Sequence, residues 1–345
     1  MATINEDLIL NVFDEMVKSR PSLSKYLPDK DDHEELDYRI IADLVIRNYP
    51  WPIGVELRRL FSGSMRQPGR MRLDQIFKTI ERTMQFVSFV MVCQVWYDIT
   101  NNKVILPDNI KSEFASRFPV LTMGTFCWLI RALATTYTEQ KIAWFLPEMN
   151  EQFDKKFFAA LDFWVPERNE IGHYQINLDE GEIEKRCVEY EEKLTMILQR
   201  IAFFAKYRLV SVRDIKVIKP RIHEAKFHHI VDLLNSSDSD FKGEEIDEPK
   251  FSDSHSVLLM KSIKSFDDYL NLSPLVIDTN SETIDKKEKF DLRKDIFMYT
   301  KYREGHLMYL GTEVTEKCDL RALSNYNMLV EEYRNLMDSI GGVQL

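Results

Sequence analysis

Across three heptads the apolar residues Ile183, Cys187, Tyr190, Leu194, Ile197, Ile201 and Phe204 alternate spacings of four and three. A strand repeats every two residues and scatters such a set over both faces, whereas a helix gathers it into one stripe. This stretch therefore constrains the fold more than any other, and Asp179 stands ahead of it in N-cap position. Three more segments carry the same signal. Leu73, Ile76, Phe77, Ile80, Met84, Val87 and Met91 form a stripe between Leu73 and Trp96, and Phe126, Leu129, Ile130 and Leu133 form one between Thr122 and Tyr137. Phe153, Phe157, Leu161 and Trp164 mark a third, expected to break at Pro166, which suits the first turn of a following helix. Each stripe needs a neighbouring helix to cover it, so the economical arrangement is an antiparallel helical bundle over residues 40–205, with a helical lead-in over 1–39. The heptads could instead zip a dimer, but one face cannot serve both purposes.

Past Lys206 the pattern changes. Leu209, Val210, Val212, Ile215, Val217 and Ile218 form a β-branched run ended by Pro220, followed by runs at Phe227–Leu234, Ser256–Met260, Leu275–Ile277, Ile296–Tyr299 and His306–Leu310. These predict strands, with Arg303-Glu304-Gly305 as a hairpin turn. A last helix is expected from Leu320 to Ile340, stopping at Gly341-Gly342, with Leu329, Tyr333, Leu336 and Ile340 inward. The acidic, serine-rich stretches Asn235–Ser254 and Asp278–Lys289 read as mobile loops. The fold class is thus α+β: a helical bundle, then a small β-rich module over residues 206–345 closed by a C-terminal helix. At 345 residues two domains are expected, though one large domain also fits.

Charge and cysteine usage narrow the function classes. A net charge of −10 excludes a surface basic all over, so any contact with nucleic acid must come from a local patch. Cys93, Cys127, Cys187 and Cys318 are far apart, contain no CxxC pair and read as buried thiols in a reducing compartment. The longest uncharged apolar stretch, Met84 to Tyr97, falls short of the roughly 20 residues needed to span a bilayer. With no basic-then-apolar leader at the start, the expectation is a soluble cytoplasmic protein with no membrane partner.

The stretch Pro166-Glu167-Arg168-Asn169-Glu170-Ile171-Gly172-His173-Tyr174 sets an Arg, an amide and a His within six positions, beside the expected bundle core. Here the chain resembles the HEPN superfamily, α-helical bundles marked by Arg, then Asn, Asp or His, then three to five residues, then His. Arg168, Asn169 and His173 match that pattern, and the resemblance covers about residues 40–205, with the motif between the third and fourth long helices as in the family. It implies a metal-independent endoribonuclease, of the antiviral-defence or toxin type, acting as a homodimer in which two motifs face each other across a groove. Some toxins of the superfamily carry a modifiable Tyr two positions after the His; here Tyr174 follows immediately, which departs from that register.

The chemistry also follows from the residues. Metal-free RNA cleavage needs a base for the 2′-hydroxyl proton, an acid for the departing 5′-oxygen and positive charge on the phosphorane. An imidazole such as His173, with a reference pKa of about 6.5, moves protons at neutral pH. Arg168 offers a permanent charge and a planar fork of donors to the non-bridging oxygens. Asn169 can bind phosphate or hold the imidazole in its working tautomer. On a regular helix positions 168 and 173 lie about 140° apart with a rise of about 7.5 Å, so they border a broad surface that a second copy could complete. The same residues also fit a structural role, Arg168 bridging Glu167 or Glu170 and His173 capping a helix end.

Five arginines, Arg58, Arg59, Arg66, Arg70 and Arg72, crowd a segment with no acid from Leu57 to Met71 and form the best candidate RNA-binding stripe. The plain alternative is a solvated loop with Arg stems packed on Phe61 and Trp51, behind a rigid Tyr49-Pro-Trp-Pro-Ile53 lead-in. His223, Glu224, His228 and His229 do not make a zinc set, because neighbouring residues of a strand face opposite sides. No metal or cofactor is expected, and Walker, GxGxxG, GxSxG and HExxH motifs are absent. The alternative function, from another class, is a catalytically silent HEPN-like scaffold whose C-terminal module binds a protein or ligand trigger; that module also bears a weak resemblance to small β modules found beside HEPN-like regions in bacterial defence proteins.

Overall fold

The computed structural model describes residues 5–27, 37–174, 179–235, 241–279, 295–313 and 320–343, leaving out the side chains of 171–174. Ten helices and eight strands among the described residues make an α+β chain, helices first, then antiparallel sheets and a closing helix. The helices are α1 (Glu6–Ser19), α2 (Tyr38–Asn48), α3 (Trp51–Leu60), α4 (Arg70–Thr100), α5 (Asp108–Arg117), α6 (Met123–Gln140), α7 (Met149–Gln152), α8 (Lys155–Tyr174), α9 (Glu180–Arg200) and α10 (Tyr326–Gly341). The strands are β1 (Arg208–Ile218), β2 (Lys226–Leu233), β3 (Lys242–Glu248), β4 (Val257–Met260), β5 (Tyr269–Asn271), β6 (Val276–Asp278), β7 (Ile296–Arg303) and β8 (His306–Gly311).

The chain gathers into two compact units, which divide it otherwise than the expected segments 1–39, 40–205 and 206–345. One unit comprises Met1–Met84, Leu146–Tyr207 and Asn235–Asp238. In it α1 packs on α2 and α9, and α8 packs on α9, so the N-terminal segment is part of the helical core. The heptad residues Cys187, Tyr190, Leu194, Ile197 and Ile201 are buried as the periodicity requires, while Phe204 sits in a 3-10 turn after α9 ends. Asp179 caps α9 by accepting from the Glu182 amide at 2.8 Å. Phe77, Trp164 and Tyr190 meet edge to face with centroids 5.4–5.7 Å apart, each pair worth about 0.5–1.5 kcal/mol beyond its buried area.

The expected break at Pro166 does not occur, because α8 runs unbroken from Lys155 to Tyr174. The proline lacks one amide donor, but packing on either side holds the helix together: Trp164 is buried before it, and Arg186 of α9 binds Glu167 and Glu170 after it.

The second unit comprises Gln85–Phe145, Arg208–Leu234 and Ser239–Leu345. The middle of α4 is buried all round, with Phe86, Phe89, Val90, Met91, Val92 and Val95 each no more than 1% exposed. A helix buried on every side packs in several directions at once, and Phe126 of α6 meets Phe89 with centroids 6.4 Å apart. The segment 85–145 joins the sheets through the backbone, since Leu121 donates to the Thr300 carbonyl at 3.1 Å and Tyr302 to the Pro119 carbonyl at 2.8 Å. The four striped helices therefore do not form one bundle set apart from the β module; α6 belongs with the strands.

The strands form a five-stranded antiparallel sheet in the order β3-β2-β1-β4-β5 and a three-stranded one in the order β6-β7-β8. Val210, Val212, Val231, Leu258, Met260 and Phe266 make the core of the larger sheet. β3 falls inside Asn235–Ser254, which sequence patterning reads as a loop. The β7–β8 hairpin turns at Glu304 and Gly305, both at positive φ, as the tight turn of a twisted hairpin requires. α10 starts at Tyr326, after a 3-10 turn at Leu320–Ala322, and ends on Gly342 in left-handed geometry. The expected loop at Asp278–Lys289 lies, from residue 280 on, outside the described residues, as does Cys318.

Candidate functional site

The unbroken course of α8 places Arg168, Asn169 and His173 on one helix, with positions 169 and 173 a single turn apart on the same face. Arg168 and Asn169 are exposed, and the side chain of His173 is among those outside the description. The neighbouring acids do not hold Arg168. Arg186 takes Glu170 at 2.8 Å, Glu182 at 3.1 Å and Glu167 at 3.9 Å, and the bond to Glu170 foremost holds its guanidinium above its ordinary pKa. Glu167 also accepts the Tyr190 hydroxyl, and burial chiefly pushes that phenol up. Arg168 instead stands 3.5 Å from Glu81 on α4, a long contact with both side chains more than a third exposed. Such a surface pair is worth about 0–1 kcal/mol, small enough for a phosphate oxygen to displace the carboxylate.

The arginine stripe is a folded corner made of the last turn of α3, a 3-10 turn at Gly63–Arg66 and the first turn of α4. Its charges are largely committed. Arg58 lies 5.4 Å from the Trp51 ring centroid, Arg59 pairs with Glu56 at 2.9 Å, and Arg70 pairs with Asp74 at 3.2 Å. Glu56 and Asp74 bracket the acid-free window and so escape a count confined to it. Arg66 is exposed and donates through Nε to the Phe61 carbonyl at 2.9 Å. Arg72 overturns its expected role: it is 0% exposed, bound to Glu191, to Asn5 Oδ1 at 2.9 Å and to the Met65 carbonyl. It ties the N-terminus of the chain to α4 and α9 and cannot reach a phosphate in the folded state.

The histidine pair divides as strand geometry demands. His228 meets Asp247 at 2.7 Å and Glu245 at 3.5 Å on β3, while His229 is buried against Phe266 with ring centroids 4.2 Å apart. Burial lowers the His229 pKa from its ordinary value. Among the described residues no three His, Cys, Asp or Glu side chains are grouped to hold a metal ion. Cys93, Cys127 and Cys187 are buried and take part in no disulfide, and burial pushes the thiols of Cys93 and Cys187 up, away from the reactive thiolate. No described helix is long and apolar enough to cross a membrane.

Sequence reading misses one further place, a cavity of about 550 Å³ within the unit that holds the sheets. Its wall includes Trp96 and Tyr97 from α4, Asp253 from the loop before β4, Tyr269 from β5 and Glu332 from α10. Burial first, then the charges of Asp253 and Glu331, push the Glu332 carboxyl up to about 7. These residues come from segments too distant for any spacing rule. The one local trace is an acid three residues after Leu329, on the flank of the inward stripe of α10.

No family model, curated protein or solved structure matches the chain.

Proposed function

We propose that the chain is a metal-independent endoribonuclease acting as a cytoplasmic homodimer, an effector of antiviral defence or of the toxin type. The observation that carries this reading is the presentation of the motif: Arg168 and Asn169 stand exposed on an unbroken helix whose next turn holds His173, and the adjacent acids are occupied by Arg186. The HEPN-like pattern Arg168-Asn169-x3-His173 supports the same reading. In this mechanism an imidazole takes the 2′-hydroxyl proton, the 2′-oxygen attacks phosphorus, and the bond to the 5′-oxygen breaks as that oxygen gains a proton. The products are a 2′,3′-cyclic phosphate and a 5′-hydroxyl. Arg168 leaves Glu81 to neutralise the phosphorane, and Asn169 binds phosphate or steadies the imidazole one turn away. Arg66, the exposed arginine of the corner, is the candidate contact to flanking phosphates.

The test is incubation of the purified protein with total RNA in EDTA. Wild type should cleave, and His173→Ala should lose activity by about 100-fold or more. Arg168→Ala should lose a comparable factor while RNA affinity stays nearly unchanged, because a contact made only in the transition state lowers the rate without weakening binding. Cleavage that vanishes in EDTA, or survives intact in His173→Ala, overturns the mechanism.

A further inference from the structure

The cavity between α4, β5, α10 and the loop before β4 has a composition that selects its occupant. Its volume of about 550 Å³ suits a small molecule. Trp96, Tyr97 and Tyr269 supply aromatic surface, Asp253, Asp267 and Glu332 supply carboxylates, and no lysine or arginine is among the lining residues. Anions such as phosphates and nucleotides are therefore disfavoured. Aromatic rings together with carboxylates favour a cation, which the ring faces attract and the acids neutralise.

The three acids are not equivalent. Asp267 pairs with Lys250 and accepts from Ser265 at 2.8 Å, so its charge is already balanced. Asp253 accepts from neutral groups, the Asn271 amide at 2.9 Å and the Tyr269 hydroxyl, and pairs with no lysine or arginine among the described residues. Glu332 has neither a hydrogen bond nor an ion pair among the described residues, although it is mostly buried. A buried carboxylate without a counter-charge is costly, and a cation entering the cavity would remove that cost. Lys103, whose ammonium lies 4.9 Å from the Tyr97 centroid, shows that this ring attracts a cation, and its own charge is spent on Asp98 at 3.5 Å.

We propose that this cavity binds a small organic cation, an amine with a flat apolar body, its ammonium held by Glu332 and Asp253 and its body lying against Trp96, Tyr97 and Tyr269. The site is independent of Arg168 and His173, and its occupancy does not require RNA cleavage. The groups facing Glu332 are Cys93 from α4, Asp253, Tyr309 from β8 and its neighbour Glu331; none of them is a base that could stand in for the ligand.

The test is calorimetric titration of the full chain with tryptamine and tyramine, using tryptophol and indole-3-propionate as neutral and anionic counterparts of tryptamine. At least one amine should bind below about 1 mM, and the counterparts of tryptamine at least about tenfold more weakly than tryptamine itself. Glu332→Gln, which keeps shape and removes charge, should weaken amine binding by about tenfold or more, and Asp253→Asn by several-fold. Raising the pH from about 6 to about 8 ionises a carboxyl titrating near 7 while the ammonium stays charged, so affinity should rise by up to about tenfold in wild type and stay flat in Glu332→Gln. Thermal unfolding of both variants confirms that they are folded. Failure of both amines to bind, equal binding of tryptophol, or unchanged affinity in the two folded variants overturns the proposal.

Discussion

At the residue scale Arg72 shows why a cluster of arginines is a poor guide to a binding surface. Its guanidinium is buried with Glu191 and Asn5, and the neighbouring cations are spent on Trp51, Glu56 and Asp74. Removing one partner of a buried pair leaves the other uncompensated, so Arg72→Ala should cost about 3–5 kcal/mol of stability, read as a lowered denaturant midpoint. The double variant Arg72→Met, Glu191→Leu should regain most of that loss, because the stranded charge is gone as well. His229 sets a pH limit by a different route. Its folded pKa lies below the ordinary value of 6.5, so on acidification the unfolded chain takes up the proton first. Stability therefore falls as pH drops below about 6.5, until the folded form is protonated too. His229→Phe, which keeps a ring against Phe266, should shrink the difference in melting temperature between pH 7.5 and pH 5; an unchanged difference would place the acid sensitivity elsewhere.

At the element scale, sequence and structure agree where one face is apolar and the other polar, and part where that contrast is missing. The stripe of α9 is legible because Cys187, Tyr190, Leu194, Ile197 and Ile201 all turn inward. β3, Lys-Gly-Glu-Glu-Ile-Asp-Glu, is an edge strand with no fully buried position, so it offers no apolar alternation to read. Its charges are of the kind that keep a sheet edge from pairing with other chains. α8 misleads in the opposite sense, since the proline rule is local while Trp164, Glu167 and Glu170 hold the helix through tertiary contacts. A measurable consequence follows from the missing amide: Pro166→Ala should stabilise the chain by about 1–3 kcal/mol by restoring an intrahelical hydrogen bond. A loss of stability in that variant would mean that the proline shapes α8 in a way the neighbouring contacts do not. The Arg168 face was legible as a motif, whereas the Glu332 cavity was not, because its walls are assembled by topology alone.

At the scale of the whole molecule one unit gives way to the other along the chain between Tyr207 and Arg208, close to the boundary expected at 205. Residues 85–145 of the expected bundle nevertheless go with the strands, because α4 is buried on all sides from Met84 to Val95 and the Pro119–Leu121 segment hydrogen-bonds to β7. Composition changes where strands begin, but compact units follow contacts, and these bring residues 85–145 to the strands. Assembly beyond one chain bears on the proposed chemistry, since positions 168 and 173 are about 140° apart around α8 and a single copy does not aim both at one phosphate. If Arg168 of one copy works with His173 of the other, two dead variants can rescue each other. A heterodimer of Arg168→Ala with His173→Ala has one site lacking both groups and one site with both intact. Random exchange gives half heterodimers, each with one working site of two, so an equimolar mixture should recover roughly a quarter of wild-type RNA cleavage while either variant alone stays inactive. Mixing without recovery, in a preparation whose subunits are shown to exchange by mass, would place Arg168 and His173 of the same copy at one site and remove the geometric reason for a dimer.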